Sequence, residues 1–379
     1  MCVHVRICSI RAIGARLSMY CRAAPRNDPL STEGEDRTRT MTHPAAPEAL
    51  VVMARDVFDR QFDERHLVRL RRSARVQEPV LCENLDDPAF ASRLAGVEVL
   101  LTGWGAPRLD AARLDRMPRL RAMLHCAGSV RPQVSDEFWA AGIRATSAAE
   151  ANAVPVAEFT LAAIIFAGKK APFLAADPSS RGADEFPTSR FGELTNLGRT
   201  IGVVGFSRVG RRVVQLVQQL EGVTCLVADP FADPGAIVAA GGVPSSLAEL
   251  LPRVDVLSLH APALPSTRHL IGAPELAALR THATVINTAR GSLIEAAALE
   301  RECASGRLNA ILDVTDPEPL PADSRLRRLP NVMVTPHLAG SLGSELHRMT
   351  DAALDEMERY VAGEPFLDEV TADALRLSA

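Results

Sequence analysis

Three side chains in the C-terminal half of this 379-residue sequence are of the types needed to grip an acid and move a proton. They are Arg290 in ATVINTARGSLI, Glu318 in ILDVTDPEPLP and His337 in VMVTPHLAGS. A guanidinium is a planar fork that can bind a carboxylate at two points. An imidazole, with an ordinary pKa of about 6.5, gives and takes protons near neutrality. A carboxylate beside it raises the imidazole's pKa and keeps it protonated. Such a set could hold a 2-oxo acid, polarise its carbonyl and hand a proton to the carbonyl oxygen while a hydride arrives from elsewhere. Each residue taken singly has an ordinary alternative: a surface arginine, a solvated loop acid, a histidine starting a helix. Their placement relative to the strands decides between the two.

A source of hydride is suggested upstream. TIGVVGFSRVGRR, residues 200–212, is an apolar strand running into glycines and then a helix. The dinucleotide fingerprint is G-x-G-x-x-G, and here it reads Gly205-Phe206-Ser207-Arg208-Val209-Gly210. Gly205 keeps the tight turn and Gly210 the close helix–strand packing. Ser207 replaces the glycine that lets the backbone approach the pyrophosphate, and its hydroxyl can donate to a phosphate oxygen. The helix that follows offers free N–H groups and the positive end of its dipole. Asp229 ends the next strand, nineteen residues beyond Gly210. An acid there accepts hydrogen bonds from the ribose hydroxyls and repels a 2′-phosphate, which favours NAD over NADP. The alternative is an aspartate that merely opens an Asp-Pro turn.

These residues need a scaffold, and the chain has the rhythm for one. Buried strands are expected at 49–54, 97–102 and 120–126, and again at 200–205, 223–228, 254–260, 283–289, 309–314 and 331–335, with helical spacing between them. His260, the Thr288-Ala289-Arg290-Gly291 run, Asp313 and His337 all stand at or just past carboxyl ends of these strands, the edge where ligands bind in an open parallel sheet. A long buried helix is expected over residues 152–170, capped by Asn152, with Pro155 in its first turn. Its apolar stretch reads as too short to span a membrane, and no other stretch reads as long enough. Ser246 and Glu249 form a capping box. A last helix over residues 344–363 stops at Gly363 and Pro365. The fold class is α/β: a Rossmann-type doubly wound parallel sheet plus a smaller flavodoxin-like α/β domain.

Composition narrows the function classes. The net charge is −4 and aromatic residues make up 4%, so nothing points to nucleic acid or an anionic membrane surface. Seven cysteines, none spaced C-x-x-C, read as reduced thiols of a cytoplasmic protein, and no zinc pattern appears among nine histidines, so no metal is expected. Residues 1–40 are arginine-rich and then polar, and read as a disordered extension or as sequence ahead of a true start at Met41.

From about Ala49 to Pro365 the chain resembles the D-isomer specific 2-hydroxyacid dehydrogenases, through the motifs quoted above and VDVLSLHAPALPSTRHLIG. The resemblance implies an NAD-dependent reductase of 2-oxo acids in which Arg290, Glu318 and His337 form the catalytic set. It implies cofactor contacts from residues 205–210, Asp229, His260, Ala261, Pro262, Thr267, Thr288, Ala289 and Gly340, with Asp313 on the nicotinamide carboxamide. It also implies a homodimer and a discontinuous domain plan. Residues 41–151 and 339–379 would receive the substrate, residues 152–338 the NAD, and hinges near Asn152 and Gly340 would let the two close.

Family members hold the substrate carboxylate partly with backbone N–H groups of a glycine loop. The matching stretch here, HCAGSV at 125–130, departs from the usual G-x-G-x-D-x-I-D form, so Gly128 and Ser129 are the candidates. His125 and Cys126 point to opposite faces of a strand and read as packing. Trp104 reads as a core residue or a pocket wall, and Thr315 stands where many relatives carry an aromatic. Glu318 argues against formate oxidation, whose enzymes carry glutamine there. The chain stops soon after its last helix, which argues against an appended regulatory domain. A rival reading is an NAD-sensing corepressor of the same fold, which turnover would distinguish.

Overall fold

A computed structural model describes residues 46–180 and 188–377; the expectation for residues 1–40 falls outside them. The first described strands are β1 (Ala49–Val52), β2 (Leu81–Cys82), β3 (Val99–Thr102), β4 (Ala122–His125) and β5 (Arg144–Ser147). They lie in the order β2-β1-β3-β4-β5, all parallel, which is the flavodoxin-like order. Alternate residues enter different cores: Leu50, Val52, Leu100 and Met123 on one face, Ala49, Val51, Leu101 and Leu124 on the other. A strand covered on both faces reads as a continuous apolar run, which is why ALVVMA and VEVLLT are legible.

The second sheet contains β6 (Thr200–Val204), β7 (Thr224–Ala228), β8 (Val243–Pro244), β9 (Val256–Leu259), β10 (Thr284–Asn287), β11 (Asn309–Leu312) and β12 (Val332–Val334). Their order is β12-β11-β10-β9-β6-β7-β8, again parallel. The winding reverses between β6 and β9, so the glycine turn after β6 and the segment from His260 after β9 flank the switch point. Both faces are covered: Val204, Leu257 and Val285 in one core, Val203, Val256 and Ile286 in the other.

One helix, Ala149–Lys169, carries the chain from β5 to the second sheet. It starts three residues before the expected position, so Asn152 lies inside it and caps nothing. Pro155 sits inside it too, not in its first turn. Contrary to the sequence expectation, this helix is long and apolar enough to cross a membrane by length and composition alone. Half of its apolar window is buried in the protein, where Ala157, Ala163, Ile164 and Ala167 pack against Val203, Val213 and Val214. The long closing helix, Glu345–Ala362, returns to the first sheet and buries Ala353, Leu354 and Met357 beside Val51 and Leu124, but it is not the last, since the short helix Ala372–Leu377 follows. After it, β13 (Glu369–Val370) adds antiparallel to β5. The capping box at Ser246 and Glu249 is present, with the serine hydroxyl accepting the Glu249 N–H.

Candidate active site

The carboxyl edge of the second sheet gathers the reactive groups. His337 follows β12 in a left-handed conformation (φ 54°), and its N–H donates to the carbonyls of Asp313 (3.0 Å) and Thr335 (3.1 Å). Asp313, 2% exposed just past β11, holds this loop from beneath. Its Oδ1 accepts the Thr335 hydroxyl (2.7 Å) and the Leu338 N–H (2.8 Å), and its Oδ2 accepts the Ala339 N–H (2.9 Å). The carboxylate expected to face the nicotinamide is thus committed first to shaping the histidine loop. Three donors leave it roughly one free acceptor site of about four.

His337 Nδ1 lies 2.5 Å from Glu318 Oε1. An ionised carboxylate only accepts, so Nδ1 carries a proton and Nε2 is left to exchange one. Both side chains are about half exposed, which leaves the pair open to a ligand.

The turn that carries Arg290 abuts the strand exit leading to Glu318. It follows β10 in an extended conformation, and Gly291 comes next. A Cβ on Gly291 would stand 2.0 Å from the carbonyl carbon and oxygen of Thr315 and 2.5 Å from the Asp316 nitrogen. Only glycine lets the arginine turn lie flush on the strand exit that leads to Glu318. Asn287 braces the turn, donating to the Arg290 carbonyl (2.9 Å) and accepting the Ala289 N–H (3.0 Å). Arg290 Nη1 donates to the Ala289 carbonyl at 2.7 Å, and the side chain forms no ion pair with a described carboxylate. Thr288 is buried, with its hydroxyl 2.9 Å from that of Thr160, so it anchors this strand end to the linking helix.

The glycine turn fits a dinucleotide. Gly205 (φ 94°) accepts no side chain, because a Cβ would stand 2.5 Å from the Ala261 nitrogen. One on Gly210 would stand 2.0 Å from the Gly205 oxygen. The helix Arg208–Val217 begins there, and Ser207 caps it by accepting the Gly210 N–H (3.3 Å). Its hydroxyl proton stays free to donate, and the first-turn N–H groups of the helix lack partners within it. Val209 packs on the core beneath, and Arg208 is exposed, 3.5 Å from Glu150. Asp229 accepts the Phe206 N–H (2.7 Å) and the Phe231 N–H (2.9 Å). Its remaining lone pairs suffice for two ribose hydroxyls.

His260 departs from expectation. Its ring is 4% exposed, with Nε2 2.8 Å from the Ser258 hydroxyl and Nδ1 buried without a partner. Burial pushes its pKa down to about 3. The residue packs behind Gly210, with its ring neutral and enclosed. Ala261 is also buried, and the Thr267 hydroxyl is turned back on the Pro262 carbonyl (2.5 Å), closing the loop after β9.

Asn152 joins the two sheets' edges, a role its sequence position did not suggest. Its Oδ1 accepts the Ser341 N–H (2.9 Å). An ideal Cβ on Gly340 would stand 3.4 Å from Oδ1, and one on Gly128 3.8 Å from Nδ2. The amide therefore sits between the loop after His337 and the Gly128–Ser129 loop after β4. Trp104, on the neighbouring loop after β3, is 43% exposed and is not a core residue.

Residues 179–339 match the model of the D-isomer specific 2-hydroxyacid dehydrogenase NAD-binding domain. The chain is 33% identical over 279 residues to the (S)-sulfolactate dehydrogenase of Chromohalobacter salexigens, covering 73% of this chain and 88% of that protein. It belongs to the D-isomer specific 2-hydroxyacid dehydrogenase family. Another member, the D-3-phosphoglycerate dehydrogenase of Methanocaldococcus jannaschii, is 32% identical over 226 residues, 59% of this chain. The chain spans about half the length or less of the phosphoglycerate dehydrogenases it matches, 42% of that one. A phosphoglycerate oxidoreductase from Rhizobium etli shares the family fold, with a TM-score of 0.74, 22% identity and coverage of 87% of this chain and 99% of that one. The glycine turn, Asp229 and the His337 loop thus all lie in the stretch that matches the family's NAD-binding domain.

Proposed function

We propose that the protein reduces a 2-oxo acid to a D-2-hydroxy acid, or runs the reverse reaction, with NAD as cofactor. The observation that carries this reading is the 2.5 Å contact between His337 Nδ1 and Glu318 Oε1, on a rim that also bears the Arg290 turn. Residues 152–338 hold the cofactor, and residues 41–151 with 339–379 receive the substrate. NADH, when bound, supplies the hydride. The glycine turn and the first turn of the helix after it hold the pyrophosphate, and Asp229 holds the adenine ribose.

Arg290 binds the substrate carboxylate and draws electron density from the carbonyl. Gly128 and Ser129 hold the carboxylate from the other lobe through their N–H groups. His337 Nε2 gives its proton to the carbonyl oxygen, while Glu318 keeps the Nδ1–H in place and so fixes the ring's direction. In the reverse reaction the same nitrogen takes the proton back. Closure about Asn152 and Gly340 removes water from between the lobes. The protein works as a homodimer in the cytoplasm, where its buried thiols Cys82, Cys126, Cys225 and Cys303 stay reduced.

The direct test is a panel of 2-oxo acids (glyoxylate, hydroxypyruvate, pyruvate and branched-chain analogues) assayed with NADH and with NADPH. Turnover of at least one acid, faster with NADH, is the expected result. NADH binding without turnover of any would overturn the proposal in favour of a cofactor-sensing protein.

A further inference from the structure

The loop after β4 has an unusual division of its backbone groups. The carbonyls of His125 and Ala127 both accept the Ala148 N–H, at 3.0 Å each. The Cys126 carbonyl accepts Gln61 Nε2 at 2.8 Å, and the Val130 carbonyl accepts the N–H groups of Gln133 (2.9 Å) and Val134 (3.2 Å). The Ser129 backbone lies against the His125 ring. By contrast, among the described residues no protein acceptor takes the N–H of Ala127, Gly128, Ser129 or Val130. Backbone donors without acceptors are rare where a chain is buried, and Ala127 and Val130 are buried at 0% and 1% exposed. Carbonyls tied back and a run of donors left over is the arrangement of a backbone anion receptor.

Two buried polar side chains add to that division. Gln61 is fully buried at the end of the helix Arg55–Gln61. Its backbone carbonyl accepts the Thr350 hydroxyl of the closing helix (3.0 Å), so it is held from behind. Its Oε1 has no partner and lies 3.3 Å from where a Cβ on Gly103 would stand. Leaving an amide oxygen unpaired in a core is costly. The amide's one side-chain hydrogen bond, to Cys126, is what it does there. His125 is 1% exposed, with Nδ1 2.9 Å from the Thr102 hydroxyl. Burial pushes its pKa down to about 4, and the Ser129 backbone is the one influence opposing that shift. At working pH the ring is neutral, with one nitrogen to accept and one to donate.

We propose that Gln61 and His125 are positioning residues that lock the loop over residues 126–130 as a receptor for the substrate's carboxylate. The proposal rests on the dehydrogenase reading for the identity of the ligand, and on the geometry above for the receptor. Neither side chain touches the substrate. Gln61 holds the Cys126 carbonyl away from the anion, and the buried His125 ring, fixed by Thr102, braces the loop from beneath beside the Ser129 backbone.

The test uses the full chain with Gln61→Met and His125→Leu, and with His125→Gln as the conservative variant. The probe is whichever 2-oxo acid is turned over fastest, together with its neutral amide. KM for the acid is expected to rise about tenfold or more in Gln61→Met and His125→Leu, with kcat within about threefold and NADH affinity unchanged. The preference for acid over amide should fall by a similar factor, and His125→Gln should restore part of it. A merely structural role would lower the melting temperature and the active fraction without moving KM or that preference. Folded variants with wild-type values of both would overturn the proposal. If the variants do not fold, the wild type decides. Titrating it with oxamate, a carboxylate analogue, should shift the amide NMR signals of residues 127–130, and saturation without such shifts would overturn the receptor. Shifts there in a protein that turns over no 2-oxo acid would sink the dehydrogenase reading and leave the receptor standing.

Discussion

Three histidines stand at strand ends, one open to solvent and two enclosed. His337, after β12, is half exposed with a glutamate on one nitrogen. His125, the last residue of β4, is buried against a threonine hydroxyl, with its pKa down to about 4. His260, after β9, shares an edge with His337 but is buried like His125. The rim of the seven-stranded sheet therefore presents ionisable side chains on loops propped from below by Asp313 and Asn287. The rim of the six-stranded sheet presents backbone N–H groups, and its polar side chains are inside, acting on carbonyls. A strand end sets where a residue can act, while its exposure and partner set whether it moves a proton or holds a loop.

Removing the exposed one of these three histidines should give the largest effect. His337→Ala is expected to lower kcat by about 10²–10⁴-fold while NADH still binds, as fluorescence titration would show. His260→Asn, at the same sheet edge, should leave kcat within about threefold. Equal losses in the two variants would erase the distinction between these histidines. Arg290→Lys keeps the charge but loses the planar fork, so kcat/KM for the 2-oxo acid should fall about 100-fold. A change under threefold would mean that another group holds the carboxylate. Asp229→Ala should weaken NAD binding about tenfold and narrow the margin against NADP. Retained NAD affinity with no gain for NADP would remove the ribose role.

Much of this contrast was visible in the sequence, for physical reasons that differ by region. Strands buried on both faces are apolar runs, so β1, β3, β4, β6, β7 and β9 to β12 stood out. β5, which reads Arg-Ala-Thr-Ser, did not. It lies between β4 and the short antiparallel β13, and three of its four residues are buried although they form no apolar run. The rim residues were legible because Arg290, Glu318 and His337 sit in distinctive strings at strand exits. Their supports were not. Gln61 and Asn152 act over separations of 65 and 189 residues, and nothing local marks an asparagine inside a helix as a brace between two loops. Of the two readings of Trp104, core residue or pocket wall, the core one fails, since the side chain is exposed beside the left-handed Gly105.

The smallest expected effect is on stability, and it separates buried from exposed histidines without any ligand. An unfolded histidine takes a proton as pH falls through about 6.5, whereas folded His260 resists until about pH 3. Between those values the unfolded chain binds more protons, so stability rises with pH in that window and is lost as pH falls. For one such group the loss between pH 7.5 and 5.5 is about 1 kcal/mol. His260→Asn cannot titrate, so its melting temperature should fall less than that of the wild type over the same range, even though it starts lower for want of the Ser258 contact. Parallel melting curves for the two proteins would mean that His260 is hydrated or partnered in the folded state, and that the wall behind the glycine turn is open to water.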